Sequence, residues 1–306
     1  MLNVTADTSE VNFVLNSSVR NIPRKGDLLF SALTDAFPAS GATGDWPTDV
    51  PVGGSLIQMG NPTVAIVDGQ KWNNNVYPNT GYRFGEFADA IPVNGVTAVA
   101  VIRPIRNGIA TGWTSVIDVF YNRLVVGVLN STGQVIAWRN GTLVNSGGYV
   151  IPDGQKTVLS LVAQPTGEFK VYANGQTVIS NTTTSAMTSL DPLWNGGTTG
   201  YWSNINVGRN NPDGWTVFNG NIGDAFLYKV ALTSAERKQL ESDCAAKFGI
   251  TLPVLHTIAT TVGPNGTINP GGEVEIWSTV TFPSLSVFDT CSGGNPQSAS
   301  RPGCGR

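Results

Sequence analysis

Aromatic side chains stand in polar segments of this sequence that are rich in glycine and asparagine, where core packing is the less obvious explanation. Such rings can stack on the C–H faces of sugars, while nearby amide, carboxylate and guanidinium groups hydrogen-bond the hydroxyls. The candidates for ligand contact are Trp72, Asn74, Tyr77, Tyr82, Trp202, Arg209, Asn211, Asp213 and Trp215. The segment between Trp202 and Trp215 is the main candidate for a binding loop. For each ring, the alternative is a structural role, in which the aromatic side chain packs at one end of a sandwich.

Carboxylates on predicted strands offer a second chemistry, the hydrolysis of glycosidic bonds. That reaction needs two carboxylates about 5 Å apart when configuration is retained, and more when it is inverted. Acidic residues on the predicted strands occur singly, so a catalytic pair would have to assemble from different strands. If the protein is an enzyme, the candidates are Asp118, Glu168 and Glu86.

Asp118 is notable for its surroundings in the sequence SVIDVFY. Strict alternation along a strand places it on one face with Val116 and Phe120, which is an unusual position for a carboxylate. One explanation is a salt bridge with Arg123 across the hairpin. The other is a ligand contact on the face of a concave sheet.

Histidine and cysteine chemistry is sparse. The single histidine, His256, has no partner for a zinc site or for a His-dependent catalytic triad. Cys244 falls on a predicted helix, which favours a buried free thiol. Cys291 and Cys304 flank a segment rich in glycine and serine, and they could pair in an oxidising compartment.

The composition indicates the kind of fold that must position these groups. The chain has 306 residues, of which 41% are hydrophobic and only 13% charged, about half the usual share. A net charge of −3 excludes the basic stripe of a nucleic-acid binder. No run of 18 apolar residues occurs, so we expect no membrane span. Short β-rich runs separated by glycine and proline predict an all-β sandwich or barrel.

Several strands can be predicted directly. The sequence VTAVAVIRPI is apolar almost throughout, as in a strand buried on both faces. Asn174-Gly175 gives the strongest hairpin signal, between GEFKVYA and QTVIS. Alternation in the first of these puts Phe169 and Val171 on one face and Glu168, Lys170 and Tyr172 on the other. Residues 71–84, KWNNNVYPNTGYRF, are polar and rich in amides, which predicts a long loop or an irregular edge.

The end of the domain carries clear signals. A β-run over residues 218–232 contains Asp224, which we expect to be a buried hydrogen-bond acceptor rather than a catalyst. One helix follows it directly. Thr233 is the predicted N-cap, Glu236 completes a capping box, and Gly249 ends the helix.

Four stretches together resemble the concanavalin A-like lectin/glucanase superfamily in its bacterial laminin G-like form. They are NPTVAIVDGQKW (61–72), FKVYANGQTV (169–178), FNGNIGDAFLYKVALT (218–233) and SAERKQLESDCAAKFGI (234–250). The resemblance spans roughly residues 27–250. It implies a two-sheet antiparallel β-sandwich of the jelly-roll type, with one concave sheet and one short C-terminal helix.

The resemblance leaves the activity open, because the superfamily includes carbohydrate-binding modules, adhesion modules, glycosidases and polysaccharide lyases. The Glu-x-Asp-x-x-Glu motif of its best-known glucanases is absent here, and a Tyr/His lyase mechanism lacks its histidine. Relatives of the laminin G-like and pentraxin-like kinds often bind Ca²⁺ at the sandwich rim. Asn210 and Asp213 are the candidate ligands, with a plain Asx turn as the alternative.

We therefore predict an N-terminal strand or linker segment (1–26), the sandwich (27–250) and a truncated extracellular repeat module with a disordered tail (251–306). The predicted function is an extracellular or cell-surface module that binds a polysaccharide. The alternatives are a glycoside hydrolase with a non-standard carboxylate pair and a structural spacer. The first residues lack the features of a secretion signal, so we expect a larger multidomain parent.

Overall fold

The computed structural model describes residues 22–48, 55–75, 80–85, 90–106, 112–120, 123–139, 142–182, 186–190, 204–209 and 217–253. The chain divides into two compact units, Met1–Pro253 and Val254–Arg306. All elements described below lie in the first unit. The predicted domain boundaries stay predictions.

Strands dominate the described part of the chain. In chain order they are β1 (Leu28–Ala32), β2 (Trp46–Pro47), β3 (Ser55–Met59), β4 (Thr63–Val67), β5 (Gln70–Asn75), β6 (Gly81–Phe84), β7 (Ile91–Pro92), β8 (Val96–Pro104), β9 (Trp113–Val119), β10 (Leu124–Leu129), β11 (Gln134–Arg139), β12 (Thr142–Val150), β13 (Thr157–Ala163), β14 (Glu168–Ala173), β15 (Gln176–Thr182), β16 (Ser189–Leu190), β17 (Ile205–Val207) and β18 (Gly220–Tyr228). A single α-helix, α1 (Ser234–Phe248), follows, and two 3-10 turns occupy Lys25–Asp27 and Thr34–Ala36.

Two large antiparallel sheets form a sandwich, which confirms the predicted fold class. The first sheet has the order β15-β14-β13-β8-β18-β5-β4, and β1 also pairs with β18. The second has the order β12-β11-β10-β9-β17-β6-β3-β2. The apolar strand β8 lies in the middle of the first sheet, as its unbroken hydrophobic run predicts.

The last strand, β18, organises the first sheet. All nine of its residues are buried. One side pairs with β8 along most of its length. The other side pairs with β5 through Gly220–Ile222 and with β1 through Ala225–Tyr228. One strand near the end of the domain thus joins three strands from its first half.

Helix α1 is capped as predicted and packs on the first sheet. The Thr233 side chain accepts a hydrogen bond from the Glu236 N–H, and Gly249 adopts the left-handed conformation at the C-cap. Phe248 packs against Trp72, with ring centroids 4.6 Å apart. A Cβ on Gly223 would lie 2.7 Å from Phe248, so only glycine admits the helix this closely.

A buried ionic cluster fixes the helix to the start of the chain. Asp224, fully buried, accepts hydrogen bonds from the backbone N–H and the hydroxyl of Thr34. Lys247 Nζ lies 2.9 Å from Asp224 Oδ1 and 2.9 Å from Asp35 Oδ2. The expectation that Asp224 is a buried acceptor is therefore confirmed.

The prediction of a loop over residues 71–84 is wrong, because β5 and β6 fall there. Alternation did not reveal β5, since its inward side chains include amides that hydrogen-bond inside the sandwich. Asn73 Nδ2 donates to Asn75 Oδ1, and Asn75 Nδ2 donates to the Gly208 carbonyl on the opposite sheet. Amide groups here replace the apolar residues that mark an ordinary strand.

The predicted face of Asp118 needs a correction. The pairing of β9 with β10 shifts between Val126 and Gly127, which leaves Val116 as the extra residue of a bulge. Val116 and Phe120 belong to the main core, whereas Asp118 does not. The bulge therefore separates Val116 from Asp118, and Phe120 lies beyond the end of β9 with φ +48°.

Asp224→Asn keeps the size of the side chain but removes the charge that pairs with Lys247. We expect the free energy of unfolding to fall by about 3 kcal/mol, because the change leaves a buried cation poorly compensated. Urea unfolding followed by tryptophan fluorescence measures this. Asp27→Asn, in the exposed pair with Arg24, is the matched control and should cost less than about 1 kcal/mol. Equal losses in the two variants would contradict the assigned role.

Candidate functional site

A row of directly paired residues crosses the second sheet on a single face. From β12 to β3 it runs through Leu143, Trp138, Val125, Asp118, Asn206, Arg83 and Ile57. Residues paired across neighbouring strands project to the same side of a sheet. We call this set the Asp118 row.

The Asp118 row lies on the outer face of the second sheet. The adjacent row, on the opposite face, includes Val126, Ile117 and Val207, which belong to the main core between the sheets. The ends of the Asp118 row are open, with Leu143 and Ile57 43% and 44% exposed. The row therefore faces away from the core.

The centre of the Asp118 row is covered and hydrogen-bonded. Asp118 and Val125 are fully buried, and Asn206 is 5% exposed. Asn206 Nδ2 donates to Asp118 Oδ2 over 3.1 Å. Trp138 and Arg83 flank this centre and are half-buried. The row thus has a buried polar centre with a half-buried tryptophan on one side and a half-buried arginine on the other.

Backbone strain lies next to this centre. Phe120 has φ +48°, a conformation that is costly for a bulky residue. Its N–H donates to the Asn204 carbonyl over 3.0 Å, which joins the ends of β9 and β17. Strain of this kind is concentrated at functional sites in proteins.

Two aromatic candidates for ligand contact lie in the core instead. Trp72 and Tyr82 are fully buried, so neither ring has a free face for a sugar. Trp72 packs on α1, and the Tyr82 hydroxyl donates to Thr43 Oγ1 over 2.5 Å. Burial raises the pKa of Tyr82, which keeps the phenol protonated and able to donate. Both assignments as ligand contacts are corrected, because β5 turns Trp72 towards α1 and β6 turns Tyr82 into the sandwich.

Two polar candidates have described positions. Arg209 follows β17 and is 2% exposed, and its side chain lies against Gly81. Asn74 is half-buried on the first sheet, where its Oδ1 accepts from Asn221 Nδ2 over 3.1 Å. Arg209 therefore stands near the Asp118 row in the second sheet, whereas Asn74 belongs to the other sheet.

The remaining candidates lie outside the described residues. They are Tyr77, Glu86, Trp202, Asn210, Asn211, Asp213 and Trp215. The calcium assignment to Asn210 and Asp213 accordingly stays a prediction. Within the described ranges, no three His, Cys, Asp or Glu side chains gather as a metal site would require. The described part of the chain also contains no helix long and apolar enough to cross a membrane.

The structure does not bring Asp118 and Glu168 together. Glu168 lies on β14, where Phe169, Val171 and Ala173 point into the core and Glu168, Lys170 and Tyr172 point outward, as predicted. Asp118 is on the outer face of the opposite sheet. The sandwich, whose sheets alone are about 10 Å apart, therefore separates the two carboxylates. This exceeds the span over which a glycosidase pair acts.

Sequence reasoning missed Trp138, Arg83 and Asn206. Trp138 resembles a core aromatic because it stands in the apolar strand sequence QVIAWR, and Arg83 falls in the segment assigned as a loop. The one sequence feature that pointed to this region was Asp118, a carboxylate within a largely apolar strand. The neighbours of Asp118 on the outer face can be identified only when the pairing register of the strands is known. The sequence does not give that register.

No protein-family model matches the sequence, and no curated protein is similar to it. Solved structures with partial likeness include domain 4 of a GH43 extracellular arabinanase from Geobacillus stearothermophilus in complex with arabinotriose. It is 20% identical with a TM-score of 0.41, over 60% of this chain and 82% of that one.

Two further likenesses cover only part of the other protein. Trypanosoma rangeli sialidase in complex with sialic acid is 15% identical with a TM-score of 0.46, over 74% of this chain and 34% of that one. The binding domain of botulinum neurotoxin DC in complex with rat synaptotagmin II is 9% identical with a TM-score of 0.47, over 71% and 52%. At these TM-scores, the likenesses identify neither a family nor a ligand for this chain.

Replacing Trp72 with alanine tests its place in the core. We expect Trp72→Ala to lower the free energy of unfolding by about 3–5 kcal/mol, because it opens a cavity under α1. Chemical denaturation gives the value. Ile66→Ala, on the paired strand but 56% exposed, is the control and should cost less than about 1 kcal/mol. A stable Trp72→Ala protein would show that the indole is not a core residue.

Proposed function

We propose that the chain is a carbohydrate-binding module of the laminin G-like kind, which holds a polysaccharide on the outer face of the second sheet. The observation that carries this proposal is the Asp118 row. A buried carboxylate on the outward face of a sheet is costly unless it is hydrogen-bonded, and here it orients Asn206. We assign Asp118 as a positioning residue rather than a direct contact.

In this proposal, the polysaccharide contacts the half-buried side chains of Trp138 and Arg83. The indole offers an apolar face for a sugar ring, and the guanidinium offers hydrogen-bond donors for hydroxyls. They lie on either side of the buried centre, which gives an extended ligand two separate points of contact. A linear polysaccharide has that shape.

Two further aromatic residues, Trp202 and Trp215, stand close in sequence to residues that pair with strands of this sheet. Trp202 precedes Asn204 by two residues, and Trp215 precedes Val217 by two residues. Asn204 meets the end of β9, and Val217 forms a bridge with Ser115 on the same strand. We propose that Trp202 and Trp215 complete the binding surface, with Asn211 and Asp213 as hydrogen-bonding groups between them. A calcium ion at Asn210 and Asp213 is part of the same proposal.

The proposed setting is extracellular, as part of a larger multidomain protein. We favour binding without catalysis, because Asp118 and Glu168, the two catalytic candidates with described positions, stand on opposite outer faces of the sandwich. Hydrolysis would need a second carboxylate close to one of them.

A polysaccharide panel tests this proposal. The intact chain is applied to immobilised polysaccharides, and retention and the release of reducing sugars are measured on the same samples. We expect retention without release. Release would favour the hydrolase, and a lack of both would favour a structural spacer and contradict our assignment.

Substitutions at Trp138 locate the site. We expect Trp138→Ala to weaken polysaccharide binding more than about tenfold, because truncating an aromatic anchor usually costs about 2 kcal/mol. Trp138→Phe keeps a ring and should retain most of the affinity. Ile66→Ala, at a 56% exposed position of β4 in the first sheet, should leave polysaccharide retention unchanged. Affinity electrophoresis gives the dissociation constants. Equal binding by Trp138→Ala and Trp138→Phe would show that the ring of Trp138 does not contact the ligand.

A further inference from the structure

A cleft of about 190 Å³ opens on the outer face of the first sheet, between β14 and the first turn of α1. Val162 and Leu232 give it an apolar floor, while Gln164, Glu168, Lys170 and Arg237 supply polar groups around that floor. Val162 is only 5% exposed but stands apart from the main core. A small apolar surface with converging polar groups is the usual composition of a ligand site.

Arg237 is a preorganised part of this cleft. Its side chain is 2% exposed, and its Nη1 lies 2.5 Å from Glu241 Oε2. The guanidinium carbon sits 3.6 Å from the centroid of the Tyr172 ring, which also lines the cleft. A guanidinium held by a carboxylate on one side and an aromatic face on another loses little freedom when it donates to a ligand.

The charges in and behind the cleft compensate each other. Lys170 Nζ pairs with Glu168 Oε1 at 2.9 Å, and these side chains are 41% and 39% exposed. Arg237 pairs with Glu241. Two cations thus face two carboxylates, so the cleft offers donors and acceptors without a net charge. At the helix start, the Thr233 backbone N–H already donates to the Glu236 carboxylate.

We propose that this cleft binds a single neutral sugar residue, a hexose or a pentose. A neutral polyol can use the carboxylate and amide oxygens as acceptors and the ammonium and guanidinium groups as donors, and it leaves both ion pairs intact. Pockets for drug-sized ligands measure roughly 300–1,000 Å³, so this smaller volume suits one ring. The cleft lies on the face opposite the Asp118 row, and it is a site separate from the proposed polysaccharide surface.

Backbone amide shifts in the ¹⁵N-labelled full chain test this inference. The protein is titrated with D-glucose, D-galactose, D-mannose and D-xylose, and in parallel with D-glucuronate. We expect at least one neutral sugar to shift the amide signals of Gln164, Lys170 and Ser234. Shifts confined to the Asp118 row would overturn the inference while leaving the proposed polysaccharide surface intact.

Substitution of Glu168 sharpens the test. Glu168→Ala removes an acceptor and should weaken binding of the neutral sugar about tenfold or more. The same change removes a negative charge from the cleft, so any binding of glucuronate should strengthen. Asp243→Ala, which removes a carboxylate of α1 outside the cleft, is the matched control and should change neither. The assignment is wrong if the cleft of the wild-type protein binds only glucuronate or binds no sugar.

Discussion

The pairing of β18 with three neighbours is the constraint on which the first sheet depends. Antiparallel sheets usually add strands in sequence order, but here the final strand enters the middle and divides one edge between β5 and β1. Every residue of β18 is buried, and Asp224 within it also holds Thr34 and Lys247. β18 pairs with β1 and also contacts the helix through Asp224 and Lys247. A substitution that disturbs β18 therefore weakens sheet pairing and helix docking together.

Helix docking makes the two outer faces of the sandwich different. On the first sheet, α1 covers β13 and β8, and Phe248 needs the bare backbone of Gly223 to approach. That face carries a cleft beside the helix start. On the second sheet, the register lines up the Asp118 row across seven strands. The proposed polysaccharide surface and the proposed sugar cleft therefore lie on two faces that differ because α1 packs on the first sheet.

Sequence patterns predicted the elements that follow simple periodicity and capping rules. The sandwich, the outward face of Glu168 and Lys170, and the helix from Thr233 to Gly249 all follow from them. The patterns failed where side-chain chemistry replaced hydrophobicity, as with Asn73 and Asn75. They failed again at the β9 bulge, because a single inserted residue reverses a face without leaving a local signal. The candidate site depends on cross-strand register, which is a property of the assembled sheet.

The pairing of β1 with β18 also bears on synthesis of the protein. The hydrogen bond between Thr34 and Asp224 joins residues 190 positions apart. At about 5–20 residues per second, a ribosome needs roughly 10–40 s to cover that distance. During this interval β1, β5 and β8 lack the strand that joins them, and their apolar faces and unpaired edges stay open. The first sheet can close only after translation has passed β18, so the nascent domain remains unfinished almost to its end.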